Sequence, residues 1–150
     1  LTAFTEGSSF KTVIDDPLIN DPKNIKRLIL CAGQIYYDLV AQRAQRNLDL
    51  SIAIVRLEQL YPFPEEVFKQ LLKRYYQVKD VMWVQEEPLN QGAWNSIYHV
   101  LSPYLTNQQI SVSARPASAA PAVGYPQLHI QQLKDLLDAA LTLSSSNWRK

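Results

Sequence analysis

Of the 150 residues, one is a cysteine, Cys31, and four are glycines, Gly7, Gly33, Gly92 and Gly124. A single cysteine excludes an internal disulfide, and with it the small secreted scaffolds that depend on disulfides, so a reducing, cytoplasmic setting is expected. Four glycines spaced this way cannot assemble GxGxxG or GxxxxGK[ST], which excludes the familiar phosphate cradles. The two histidines, His99 and His129, lie far apart with no Cys or His at ligand spacing, and read as surface or capping residues rather than metal ligands. No GxSxG elbow exists. No apolar run approaches the roughly 20 residues of a spanning helix, and the first residues lack the basic and apolar regions of a secretion signal. The formal net charge is +1, with acids and bases interspersed, so no field of one sign draws in nucleic acid or an anionic membrane.

What is present is a globular balance, 47% hydrophobic and 19% charged. A chain of this length forms one domain that buries roughly 70% of the surface exposed when it is unfolded. The opening LTAFTEGSSF lacks a starting Met, and the chain is expected to be a piece of a longer polypeptide. Residues 1–24 read as a linker or edge segment, with FKTVI as an edge strand and DDPLINDPKN as a connector. Residues 25–143 read as the folded domain, and 144–150 as a tail.

Within that domain, short apolar runs alternate with stretches of helical period. Arg27–Ala32 is a buried strand stopped by Gly33, and the helix from Gln34 to about Asn47 places Tyr36, Val40 and Ala44, beside Ile35 and Leu39, on one face. Ser51–Leu57 is a second strand. After QLYPFP, Pro64 at a first helical position opens a helix with Val67, Phe68, Leu71, Leu72 and Tyr75 inward. Asp80–Gln85 is a third strand, and Trp94, Ile97, Tyr98 and Leu101 form the face of the next helix. Gln109–Ala114 is a fourth strand, ARPASAAPAVGYP a loop, and Ile130, Leu133, Leu137 and Ala140 mark a last helix. Four strands alternating with four helices predict an α/β fold with a mainly parallel sheet covered on both sides.

The chemistry concentrates in QEEPLNQGAW, residues 85–94. Consecutive side chains of a strand point to opposite faces, so if the strand runs through both, Glu86 and Glu87 cannot grip one substrate as facing acid and base, which disfavours a paired-carboxylate mechanism. Two readings stand. In one, a glutamate accepts backbone N–H groups at the start of the next helix while Pro88, Asn90 and Gly92 shape the turn. In the other, the pair faces a domain or subunit interface, with Arg115 at the end of the fourth strand as a carboxylate partner, because ligands and partners meet open α/β sheets at the strands' carboxyl ends. Cys31, inside an apolar strand, reads as a core thiol.

RLILCAGQIYYDL, SIAIVRLEQLYPFP, VMWVQEEPLNQGAW and ARPASAAPAVGY, in this order and spacing, resemble the C-terminal region of the thiamine-dependent first component of the 2-oxoglutarate dehydrogenase complex in its bacterial form. The similarity spans about 24–141. More distantly the chain is similar to the C-terminal domain of transketolases. The resemblance implies a three-layer sandwich around a five-stranded, mostly parallel sheet with one antiparallel edge strand. It implies a parent enzyme that decarboxylates 2-oxoglutarate on thiamine diphosphate with Mg²⁺ and passes succinyl to the lipoyl group of the succinyltransferase, within the tricarboxylic acid cycle. The cofactor is then held by preceding domains, and this domain serves dimerisation and assembly. The implied partners are those domains, a second copy, the dihydrolipoyl succinyltransferase and lipoamide dehydrogenase. Some family members bind an acyl-CoA or adenine nucleotide near the border of this domain.

No catalytic, cofactor-binding or metal residue is assigned to this chain. The interface candidates are Glu86, Glu87, Asn90, Gln91 and Arg115, with Tyr61, Pro62 and Phe63 as apolar neighbours. The alternatives are an independent nucleotide- or CoA-binding module and a stand-alone hydrolase with Glu86 as base.

Overall fold

The structure, a computed structural model, describes residues 9–119 and 125–143. Its strands are β1 (Val13–Ile14), β2 (Arg27–Cys31), β3 (Ile52–Leu57), β4 (Asp80–Pro88) and β5 (Gln109–Arg115), and its α-helices are α1 (Ile35–Gln45), α2 (Glu65–Arg74), α3 (Trp94–Leu101) and α4 (Pro126–Leu141). The sheet order is β1-β3-β2-β4-β5. β1 is antiparallel to β3, and all other pairs are parallel. This is the mostly parallel five-stranded sandwich the resemblance implied, with the edge strand read in FKTVI in place. The tail at 144–150 and part of the Pro- and Ala-rich loop lie outside the described residues.

Every residue of β2 is buried, and so are Ile52, Ala53, Ile54, Val55 and Leu57 of β3, because helices cover both faces and leave no polar side to these strands. Period-two alternation divides the apolar side chains between two cores. Leu28, Leu30, Ala53, Val55, Val81 and Trp83 pack with Phe68, Leu71 and Tyr75 and with Ile97 and Leu101. On the other face Ile29, Cys31, Ile52, Ile54, Met82 and Val84 pack with Ile35 and Leu39 of α1 and with Leu136, Leu137, Ala140 and Leu141 of α4.

Several inward faces differ from the periodic expectation. α1 buries Ile35, Leu39 and Arg43, while Ala44 is exposed. The stripe runs one position earlier than expected because Arg43 is neutralised in the core by Asp16, whose carboxylate also accepts the Ile54 N–H at 2.8 Å. Asp16 and Ile19 thus carry part of the segment read as a connector into the interior. Pro64 caps α2 from outside the helix, at ψ 70°, and Val67 is largely exposed. Tyr98 is exposed as well. Ile130 is 67% exposed. α4 has 16 residues and β2 has 5, about 24 Å against about 17 Å, so the first turns of the helix overhang the sheet's centre.

The far end of α4 is fixed by a guanidinium. Arg27 Nη1 donates to the carbonyls of Ala139, Ala140 and Thr142 at 3.2, 2.8 and 3.0 Å, and its Nε pairs with Asp80 at 2.8 Å. A cation at a helix C-terminus satisfies carbonyls that lack intrahelical partners and opposes the helix dipole.

Candidate interface at the strand ends

β4 outlasts its parallel neighbours, running on through Glu86 and Glu87 to Pro88. Its register with β5 breaks between Val84 and Pro88, so that Ser113 and Arg115, two apart, face residues four apart. Such a bulge bends a strand and re-aims its side chains. The Glu86 carboxylate turns toward α4, with Oε1 3.8 Å from His129 Nε2. Glu87 lies beside Gly92, where a Cβ would approach Glu87 Cβ to 3.0 Å. The two residues thus have different neighbours, Glu86 at α4 and Glu87 at the Gly92 turn.

Gln85 organises the turn. Its Oε1 accepts Trp83 Nε1 and the Trp94 N–H, each at 3.0 Å. Its Nε2 donates to the carbonyls of Glu87, Pro88 and Gln91 at 3.3, 3.0 and 2.7 Å. The role expected of a glutamate at the start of α3 thus falls to a buried neutral amide. An amide both accepts and donates, so it bonds helix N–H groups and turn carbonyls together, which a carboxylate cannot. Gly92 adopts φ +68°, and a side chain there would also meet the Gln85 amide at 3.2 Å.

Above this hub the turn is joined to the loop after β5. Asn90 and Ser118 exchange hydrogen bonds, Nδ2 to the Ser118 carbonyl at 2.8 Å and Ser118 N–H to Oδ1 at 3.0 Å, and Gln91 Nε2 reaches the same carbonyl at 3.0 Å. Arg115 is buried and its Nε donates to the backbone carbonyl of Glu86, so among the described contacts it supports the turn from below.

The other candidates follow β3. Tyr61 is 93% exposed and Pro62 is exposed, joined by a cis peptide. Phe63 turns inward, with its ring 5.2 Å from Phe68 and 6.0 Å from Tyr104. Leu89 on the β4 turn, Tyr37 in the first turn of α1 and Leu128 in the first turn of α4 add exposed apolar side chains at the carboxyl ends of the strands.

Gln85 escaped sequence reasoning, which read it as the last residue of a strand. The Arg56 cluster at the end of β3 escaped it too. Its guanidinium lies 4.7 Å over the Tyr36 ring, pairs with Glu58 at 3.0 Å and reaches the Tyr37 hydroxyl at 3.4 Å. The signal was present as IVRLE beside IYY, since an arginine inside an apolar strand needs a partner when it is half-buried.

Burial pushes the Cys31 thiol up to about 12, which agrees with a core thiol and not a reactive one. Among the described residues, no three His, Cys, Asp or Glu side chains converge as a metal group would require. No helix among them is long and apolar enough to cross a membrane.

The sheet order, the single antiparallel edge and helices on both faces define a transketolase C-terminal-like α/β domain. A solved split-gene transketolase chain, titled an inactive beta4 tetramer, shares the fold at a TM-score of 0.60 with 12% identity, covering 93% of this chain and 45% of that one. The chain belongs to the 2-oxoglutarate dehydrogenase C-terminal family, whose profile matches residues 1–141. It is 47% identical over 135 residues to the 2-oxoglutarate dehydrogenase E1 component of Haemophilus influenzae, covering 89% of this chain and 14% of that protein. The E1 component of Cupriavidus necator is 45% identical over 132 residues, covering 87% and 14%. The mitochondrial 2-oxoglutarate dehydrogenase of Dictyostelium discoideum is 42% identical over 132 residues, covering 83% and 12%. The chain thus spans about one seventh of the length of these bacterial relatives.

Proposed function

We propose that this chain is the C-terminal accessory and dimerisation domain of a 2-oxoglutarate dehydrogenase E1 component, with residues 25–143 as its folded unit. The parent enzyme decarboxylates 2-oxoglutarate on thiamine diphosphate with Mg²⁺ in the cytoplasm and passes succinyl to the lipoyl group of dihydrolipoyl succinyltransferase, with lipoamide dehydrogenase completing the tricarboxylic acid cycle step. Among the described residues no three His, Cys, Asp or Glu side chains converge, and on this reading the preceding domains hold thiamine diphosphate and Mg²⁺.

The observation that carries the reading is the strand-end turn. Five hydrogen bonds to Gln85 and the Asn90–Ser118 exchange hold an exposed loop in one conformation with Glu87, Leu89 and Asn90 outward. A pre-ordered loop with polar and apolar groups loses little entropy on docking, as an interface element requires. Glu86, Glu87, Asn90 and Gln91 face the preceding domains or the second copy, with Tyr61 and Pro62 beside them and Arg115 and Phe63 beneath. In the full polypeptide, Glu87→Ala combined with Asn90→Ala should weaken the dimer about tenfold or more and lower 2-oxoglutarate turnover in parallel, read by sedimentation and assay. A variant with unchanged assembly and turnover would remove this turn from the interface.

A further inference from the structure

β5 ends the sheet among the described residues, and its outer edge has a defined hydrogen-bonding pattern. The Gln109 N–H donates to the Lys79 carbonyl at 2.8 Å and the Arg115 carbonyl accepts the Leu89 N–H at 2.9 Å, so the odd-numbered residues of β5 turn their backbone groups toward β4. In a parallel strand the alternate residues face the other way. Ile110, Val112 and Ala114 therefore present three N–H donors and three C=O acceptors along the outer edge, where β5 has no partner strand among the described residues.

Folded proteins blunt such edges with Lys, Pro or inward charges. QISVSAR has none of these before its final Arg115. Alternate side chains also differ: Ile110 and Val112 pack into the core beneath α2 and α3, whereas Ser113 turns toward α4 and bonds the Leu136 carbonyl at 2.7 Å. A strand added here needs apolar residues toward α3, polar residues toward α4 and no charge at its centre.

β5 itself has that pattern. Two copies running antiparallel about Val112 place Val112 opposite Val112, Ile110 opposite Ala114, Ser111 opposite Ser113 and Gln109 opposite Arg115, so apolar meets apolar and no like charges face each other. The hydrogen-bonded positions are the three outward residues, so every outward donor of one copy meets an acceptor of the other. A hollow of about 550 Å³ beside the amino half of β5, lined by Tyr98, Ser102, Leu105 and Gln108, leaves room for the second copy's Pro116 opposite Gln108.

We propose that the β5 edge is a self-complementary docking surface for a second copy of this chain, pairing antiparallel about Val112 into a continuous two-fold sheet. It is separate from the strand-end turn.

The test is residue-resolved amide exchange on the full polypeptide at low and high concentration. The Ile110, Val112 and Ala114 amides should slow about tenfold or more at high concentration. Ser111→Lys, which puts a charge on the exposed edge, should abolish that slowing while the Ser113 amide, bonded to β4, stays protected. Val112→Pro removes an outward donor without touching the β4 ladder and should act alike. Outward amides that exchange fast at every concentration would overturn the proposal. So would protection that is independent of concentration or unchanged in Ser111→Lys, which would mean that another segment or partner covers the edge.

Discussion

Two buried polar centres of this domain solve opposite problems. On the β1 side, Asp16 and Arg43, each with a side chain 1% exposed, join the segment before β2 to α1 and β3 through a full ion pair. At the carboxyl end of β4, Gln85 ties a turn to a helix start with a neutral amide. Charge suits the first site because one strong contact pins a long segment, and its desolvation is compensated by the Ile54 N–H, the Ile52 carbonyl and Asp49. Neutrality suits the second because donors and acceptors must be met at one point. The charged centre anchors the fold, and the neutral one shapes a surface.

Arg43→Leu leaves Asp16 buried without its cation, and should cost roughly 3–5 kcal/mol in denaturant unfolding. Adding Asp16→Asn should recover part of that loss, whereas a cost confined to cavity formation would show no recovery. Gln85→Leu should cost about 1–3 kcal/mol, since Trp83 Nε1 and the Trp94 N–H lose their acceptor. Its sharper signature is local: the Trp94 amide should exchange faster while the amides of β2 and β3 stay protected. Global loosening with no preference for the turn would make Gln85 an ordinary core residue.

The smallest effect sharpens the contrast with an uncharged core group. The Cys31 pKa is raised from 9.0 to about 12 by burial, and the Tyr75 hydroxyl is also raised, by burial and then by its hydrogen bond to Asp15. For Cys31 the unfolded chain releases its proton first, so stability is intact below about pH 9 and falls by up to about 1.4 kcal/mol per pH unit between about 9 and 12. Cys31→Ala should flatten part of that alkaline slope. An unaltered slope would assign it to other groups.

Much of the fold was legible because its signals are local. The apolar runs RLILC and IAIVRL have the length and composition of strands buried on both sides, which they are, and FKTVI holds the two-residue edge strand. What was not legible depended on long-range pairing. Arg43 reads as surface until Asp16, 27 residues away, is brought to it. At the site, the sequence located the turn, but the reading in which a glutamate accepts the N–H groups at the helix start gave no role to Gln85, whose Oε1 accepts the Trp94 N–H. Only the bulge in β4 turns Gln85 under the loop. Arg115, read as a carboxylate's partner, also donates to the Glu86 backbone carbonyl, a contact that no sequence pattern announces.

If this chain works, as proposed, as one domain of a much longer thiamine-dependent dehydrogenase, the native protein captured with an antibody against it should prove several times longer than 150 residues and should oxidise 2-oxoglutarate when thiamine diphosphate is added. Capture of a free chain of this size, without that activity, would overturn the proposal.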